Sequence, residues 1–247
     1  MDNISNLKCG VKIGLVALWS QMKRFFKIYY NLYVRHKAYK KRNSYSQWGE
    51  DQIIKDFFKE KKTGFYVDIG CFHPIMYSNT CLLFNNGWNG INIDLNRTSI
   101  DLFEIMRPTD YNFCEAISDK AEEKNLFFDH NFSPVNTIEQ SFYKESDKKV
   151  AFKKLIKKKI ITKKFDDVVK KIPKLPKINF LNIDCEGHDY NILSSIDLNR
   201  YSPELICIET HKTDNKEEIH NKDIIKLLNH YKYKIFKRCG PSTLFIK

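Results

Sequence analysis

The sequence predicts an α/β protein built on a doubly wound, mostly parallel sheet with an antiparallel C-terminal edge. Three observations carry this. Phe65-Tyr66-Val67-Asp68-Ile69-Gly70 is an apolar run ending in a glycine turn, and Gly90-Ile91-Asn92-Ile93-Asp94 is a second run ending in an acid, 24 residues after Gly70. From Ser46 onward, segments of helical spacing alternate with short apolar runs, the order that puts helices between parallel strands. Ile178 to Asp184 is apolar almost throughout, as a central strand covered on both faces must be.

The spacing predicts a helix from Gln47 to Lys59, a first strand from Phe65 to Gly70, and a helix from Asn79 to Asn86 closed by Gly87. Gly90 to Asp94 is the expected second strand, Ser99 to Met106 a helix and Tyr111 to Ile117 the third strand. Asn125 to Phe128 adds a short strand, and the polar stretch Asp129 to Ser146 reads as a loop over the site. Lys148 to Lys171 reads as a basic helix, a short strand at Ile160-Ile161 and a helix after Thr162. The fourth strand, Ile178 to Asp184, follows, with a fifth at Leu205 to Glu209. A helix from Lys216 to Asn229 and two strands, Lys232 to Phe236 and Thr243 to Ile246, close the chain.

A chain of 247 residues suits one α/β domain with an appendage: a basic tail over 1–45 and a main domain over 46–247. The net charge of +12 is uneven. Residues 1–45 carry 10 Lys/Arg against one acid, and 144–177 carry 14 Lys against four acids, whereas 46–143 hold 8 basic and 15 acidic side chains. The motif-bearing core is therefore not basic, which argues against a nucleic-acid groove across the protein. Two local basic segments suit acidic lipid headgroups or a phosphorylated acceptor.

In the tail, Val11, Leu15, Leu18, Met22, Phe25, Phe26, Tyr29 and Tyr33 recur at helical spacing, broken by Lys12, Lys23, Arg24 and Lys27. No apolar stretch there is long enough to span a bilayer. Such an amphipathic helix, within residues 10–42, either lies on an anionic membrane surface or packs on the core or on a second subunit, as in a homodimer. Seven scattered cysteines without a Cys-x-x-Cys pair read as reduced thiols in a cytoplasmic protein, and no cleavable signal peptide is evident. The expected location is cytoplasmic, with peripheral attachment to the inner membrane face as the variant that the tail allows.

The glycine turn and the acid at the end of the second strand read as a site for an adenosine-containing cofactor, with Asp94 accepting from the ribose hydroxyls. A dinucleotide needs Gly-x-Gly-x-x-Gly, but Cys71, Phe72, His73 and Pro74 follow Gly70. Asp68 would repel a phosphate there and can take the ammonium of S-adenosylmethionine. The charge argument favours S-adenosylmethionine.

Ser46-Gln47-Trp48-Gly49-Glu50-Asp51, the Gly64 to Pro74 segment, Ser78-Asn79-Thr80, Gly87-Trp88-Asn89-Gly90-Ile91-Asn92-Ile93-Asp94, Arg107-Pro108-Thr109-Asp110 and Phe180-Leu181-Asn182-Ile183-Asp184-Cys185-Glu186-Gly187-His188 occur in that order. Together they resemble the FkbM-type S-adenosylmethionine-dependent methyltransferases, from about Tyr45 to Lys247. The resemblance implies a class I methyltransferase, Rossmann-like fold and O-methylation, often of sugars in surface glycans or natural products. Cys71-Phe72 and the Lys-rich stretch before Asp184 depart from the family pattern.

On this reading Gln47 and Glu50 either close over the methionine end of the cofactor or cap their helix. Gly70, Cys71 and His73 form the turn after the first strand, where His73 either faces the methyl group or caps a backbone carbonyl. Ser78 and Asn79 are either ligand contacts or helix caps. Asp119, beside Ser118, accepts from the adenine amino group. Asp184, Glu186 and His188 follow the central strand, and Glu209 and His211 follow its neighbour. His188 or His211 is the expected general base, oriented by Asp184 or Glu209. The same carboxylates and imidazoles suit a divalent cation, although no spacing demands one. The expected acceptor is a sugar, nucleotide sugar or glycan. The alternatives are a non-sugar acceptor for the same cofactor, or a non-catalytic adapter in a glycan assembly complex.

Overall fold

The computed structural model describes residues 19–35, 43–128, 136–139, 156–214 and 217–247, with the backbone alone for 211–214 and 217–220. The chain divides into two compact units, Met1–Arg42 and Asn43–Lys247. In the first unit, residues 19–35 are helical and end in a π-helical turn, Tyr30–Arg35. The expected helical positions Val11, Leu15 and Leu18 lie outside the described residues.

The second unit carries a seven-stranded sheet. Its strands are β1 (Phe65–Ile69), β2 (Asn89–Asp94), β3 (Tyr111–Cys114), β7 (Phe180–Ile183), β8 (Leu205–Glu209), β11 (Lys234–Cys239) and β12 (Ser242–Ile246). They lie in the order β11-β12-β8-β7-β1-β2-β3. Pairing from β3 across to β8 is parallel, and β12 is antiparallel to both of its neighbours. The antiparallel strand thus lies one place inside the C-terminal edge, which β11 forms. Chain order reverses between β1 and β7, so a crevice opens beyond their carboxyl ends.

Side chains alternate between two cores, as a pleated sheet requires. Val67, Ile69, Leu181, Ile183, Ile206 and Ile208 enter one, where Phe165, Ile192, Leu193 and Ile224 cover them. Tyr66, Phe180, Leu205 and Cys207 enter the other, packed with Ile54, Phe58, Leu83 and Trp88. That second face carries a polar rung. Asn112, Asn92, Asp68, Asn182 and Cys207 stand in register across five strands.

The helices are α1 (Glu50–Phe57), α2 (Cys81–Asn85), α3 (Arg97–Met106), α4 (Phe165–Val169), α5 (Asp189–Ser195), α6 (Leu198–Tyr201) and α7 (Lys222–His230). Ser46 serves the start of α1, its hydroxyl accepting from Gly49 N and Asp51 N at 3.0 and 3.3 Å. Asn96 caps α3 by accepting from Thr98 N at 2.9 Å, the usual service of an N-cap amide.

Three expectations are corrected. The predicted third strand breaks at Glu115: β4 (Ala116–Ile117) leaves the main sheet and pairs in parallel with β6 (Ile156–Lys163), which also pairs antiparallel with β5 (Glu123–Phe128). The short strand expected at Ile160-Ile161 is thus eight residues long. The first part of the helix predicted from Lys216 is extended instead. There, β10 (Glu217–His220) pairs with β9 (His211–Asp214) in a separate ribbon, and α7 begins only after the Asn221 cap. Helices α5 and α6 were not foreseen. The expected basic helix falls on 148–155, outside the described residues, as does most of the loop expected over 129–146.

Candidate functional site

At the carboxyl ends of β1, β2 and β7 lies a partly open cleft. Gly70, Asp94, Asp184, Glu186 and His188, all expected at the site, line it. Ile69, Phe72, Ile93, Leu95, Ala116, Ile117 and Ile138 give it apolar walls. Asn136 and Ile138 belong to a short strap, held at Thr137 by paired backbone hydrogen bonds to Phe127 and by its hydroxyl donating to the Glu186 carbonyl at 2.9 Å.

Gly70 makes the close approach of the β1 turn to the β7 end possible. Its φ is +83°, and a Cβ there would stand 1.8 Å from the Asp184 carbonyl oxygen. Two non-glycine residues of the wall, Phe72 (φ 46°) and Glu186 (φ 50°), also adopt left-handed backbone, strain of the kind that gathers at ligand sites.

Asp94 ends β2 with its carboxylate already oriented. One oxygen accepts from Phe72 N at 2.9 Å and the other from Asn96 N at 2.7 Å. A carboxylate has about four acceptor positions, so roughly two remain for hydroxyl donors. Burial pushes its pKa up to about 6 against the pull of those two amides.

Beside it the end of β7 is crowded with acids. Water reaches Asp184, yet the surrounding protein thins its solvation. Asp189, Asp68 and Glu50 add like charge, and its pKa rises to about 7. Burial, with Asp184 and Asp189 nearby, pushes Glu186 well above the usual carboxylate range. Asp189, raised by burial to about 6, accepts from Cys185 N and Gly187 N and so fixes the loop that carries both residues.

His188 lines the cleft with both ring nitrogens engaged: Nδ1 lies 2.7 Å from Glu139 Oε1, and Nε2 lies 2.9 Å from Ser118 Oγ. The Ser118 hydroxyl, with one proton to give, is also 2.9 Å from Asp119 Oδ1. Burial lowers the His188 pKa, and Glu139 opposes this in part. The imidazole thus ties the end of β4 and the strap to the start of α5.

The other expected site residues whose side chains are described do not line the cleft. Asp68 is buried in the polar rung, its oxygens accepting from Thr80 Oγ1 at 2.7 Å and Asn182 Nδ2 at 2.8 Å. Asn79 donates to Asn182 Oδ1 at 2.9 Å, and Ser78 accepts from the Arg107 guanidinium at 3.0 Å. Arg107 is buried too. It donates to Pro74 O at 2.6 Å and Thr80 Oγ1 at 2.8 Å, and its guanidinium lies over the Phe103 ring, 4.8 Å from the centroid. Cys71 packs with Ile100 and Phe103. His73 accepts at Nδ1 from Ile75 N and Met76 N. These residues brace the β1 turn from below, since a buried guanidinium and carboxylate must be satisfied by hydrogen bonds.

Glu50 is buried and accepts from Trp48 N at 2.9 Å, close enough to Asp184 to raise its pKa; the Gln47 side chain is exposed. Asp119 and Ser118 sit behind His188. Glu209 ends β8, and the His211 side chain lies outside the described residues. Glu115 was not anticipated, and Asn136 and Ile138 fall within the stretch expected as a loop over the site without having been singled out. Glu115 follows directly on β3, inside the longer strand that the sequence predicts, and it is paired with Lys163 and Lys171 at 2.7 and 3.0 Å. The strap has no periodic signal in the sequence. Among the described residues no group of three or more His, Cys, Asp or Glu side chains has the arrangement to hold a metal ion.

A mostly parallel sheet with one antiparallel strand near its C-terminal edge, and an acid-tipped second strand beside a glycine turn, is consistent with a Rossmann-like methyltransferase fold. The methyltransferase FkbM domain matches residues 70–235, and the chain belongs to that family. A search of curated proteins found no match.

Proposed function

We propose that the protein is an S-adenosylmethionine-dependent O-methyltransferase whose acceptor is a sugar hydroxyl in the assembly of a surface polysaccharide or other glycan. The observation that carries the cofactor reading is Asp94. Two backbone amides hold its carboxylate at the tip of β2, leaving acceptor positions for a pair of vicinal hydroxyls.

The residues around it fit this cofactor in three ways. Gly70, without a Cβ, lets the β1 turn close against the Asp184 carbonyl and brings the two strand ends that flank the cleft together. The acids Asp184, Glu186 and Asp189 favour a ligand bearing an ammonium and a sulfonium. The turn after Gly70 lacks the further glycines that a pyrophosphate requires. When bound, the cofactor supplies a methyl group already activated for displacement by an oxygen nucleophile.

The chain's own tasks are to align the hydroxyl and remove its proton. Alignment is worth about 7–11 kcal/mol and a positioned base roughly a hundredfold to ten-thousandfold. Asp184, with a pKa of about 7 and access to water, is the base that this geometry favours. Glu186, pushed well above the usual carboxylate range by burial and by Asp184 and Asp189, stands two residues further along the same cleft wall. His188, engaged at both nitrogens, positions the strap that carries Asn136 and Ile138. The sugar acceptor itself rests on the family resemblance.

The test is incubation with methyl-labelled cofactor and a panel of nucleotide sugars, glycan fragments, small metabolites and RNA, followed by mass spectrometry. Label on a sugar oxygen supports the proposal. Label on another acceptor class replaces the sugar, and absence of cofactor binding by calorimetry at millimolar ligand removes the enzyme reading in favour of an adapter.

A further inference from the structure

Half of the exposed large apolar side chains among the described residues sit on one helix: eight of the sixteen fall between residues 19 and 34. Trp19, Met22, Phe25, Phe26, Tyr29 and Tyr33 form a stripe at the three- and four-residue spacing of one helix face. The stripe is continuous, with Phe25 stacked on Tyr29 at 6.5 Å between centroids and Tyr29 5.2 Å from Tyr33. Ile28, Asn31 and Leu32 occupy the other side and are buried. The exposed aromatic stripe is therefore a second apolar face, beyond the single one that an ordinary surface helix uses.

The charges on this helix have one sign. Lys23, Arg24, Lys27 and Arg35 are its only ionisable acids or bases of fixed charge between 19 and 35, with no Asp or Glu among them. The Lys23 ammonium lies 5.2 Å from the Trp19 ring centroid, at the margin of the stripe. Over residues 1–45 the balance is 10 basic side chains to one acid. Two copies of such a face would bring like charges together, whereas an acidic surface complements them. Trp and Tyr, unlike Leu, prefer the boundary between headgroups and acyl chains, where an apolar ring and a polar tip are both satisfied. No helix among the described residues is long and apolar enough to cross a membrane, so the face lies along the surface.

We propose that this helix docks on an anionic phospholipid surface, its aromatic stripe entering the headgroup boundary and its cations meeting the lipid phosphates and carboxylates. The inference does not depend on the reaction assigned above.

The experiment is co-sedimentation of the full chain with vesicles of phosphatidylcholine alone or with about a third phosphatidylserine, at low and high salt. The expected result is at least roughly tenfold stronger partitioning onto the anionic vesicles, weakened by salt. The double substitution Phe25→Ser with Phe26→Ser should reduce that partitioning about tenfold or more while leaving the melting temperature in place. Equal pelleting without phosphatidylserine, no pelleting, or a double variant that pellets like the parent overturns the proposal. So does a parent dimer that the same variant converts to a monomer while vesicles capture neither, because the stripe is then a subunit interface.

Discussion

Replacing Asp94 with asparagine separates a ribose-binding carboxylate from one that merely shapes the loop. In the parent, the two oxygens accept from Phe72 N at 2.9 Å and Asn96 N at 2.7 Å. An asparagine keeps one oxygen and points an amide donor at one of these backbone donors, at a stability cost of about 1–3 kcal/mol. Two ribose hydroxyls bound to a charged acceptor contribute about 1.5–3 kcal/mol each, and losing the charge removes roughly half of that. Affinity should then fall by about 1.5–3 kcal/mol, or about 10- to 150-fold in Kd. Calorimetry with S-adenosylhomocysteine measures this, and adenosine serves as a second ligand without the amino-acid end. Because burial raises Asp94 to about 6, its ionised form is lost as pH falls through that value. Adenosine affinity of the parent should therefore drop about tenfold at one pH unit below the pKa, and the variant should be flat over the same interval. A folded Asp94→Asn protein that binds both ligands within twofold of the parent would refute the reasoning and move the ribose elsewhere.

Two further perturbations probe the turn and the acid cluster. Gly70→Ala forces a Cβ to within 1.8 Å of the Asp184 carbonyl at a φ of +83°. Strain and displacement together should cost about 2–4 kcal/mol in denaturant melts and weaken product binding; parental stability and affinity would show that the turn shifts freely. Asp184 has a folded pKa of about 7, well above its ordinary value of 3.8, so its contribution to stability is complete below the unfolded value and lost as pH rises through the folded one. Screening by the water that reaches it limits the loss to about 1 kcal/mol. Ligand-free protein should accordingly melt lower at pH 8 than at pH 5, kcat/KM should climb through pH 7 as the base of the free enzyme ionises, and Asp184→Asn should flatten both profiles. A variant with the parental pH–rate limb would assign the base to another group.

The sheet was legible because its signals are local. The runs that became β1, β2, β7 and β8 are apolar and short, each is bounded by turn residues, and Leu205–Glu209 was placed to the residue. Asp94 was legible for the same reason, as the last residue of such a run. Asp68 shows where this stops. It precedes the glycine turn by two residues, so proximity alone put it on the rim, but strand parity sends it to the face opposite Val67 and Ile69, where Asn92 and Asn182 stand in register with it. Much of the motif series likewise marks scaffold: Ser78-Asn79-Thr80 and Arg107 meet under the turn, over separations that sequence spacing does not encode. The Glu217 to His220 stretch was misread because Lys216 to Asn229 carries helical spacing only from Ile224 onward. The break after Cys114 depends on β6, some forty residues further along, offering Thr162 and Lys163 as partners.

The scaffold and the acids belong to one design. Arg107 braces the β1 turn from within the core, near enough to Asp68 to hold its pKa below the value burial alone would give. Asp184 lies on the cleft side of the same turn, where Asp189, Asp68 and Glu50 add like charge. Like charges crowded at one strand end destabilise the empty state. A positively charged ligand would remove that penalty on binding and lower both pKa values as it does so. The cost carried by the ligand-free protein is thus recovered as affinity and selectivity for a cation over a neutral or phosphorylated nucleoside, which is the distinction this cleft has to make.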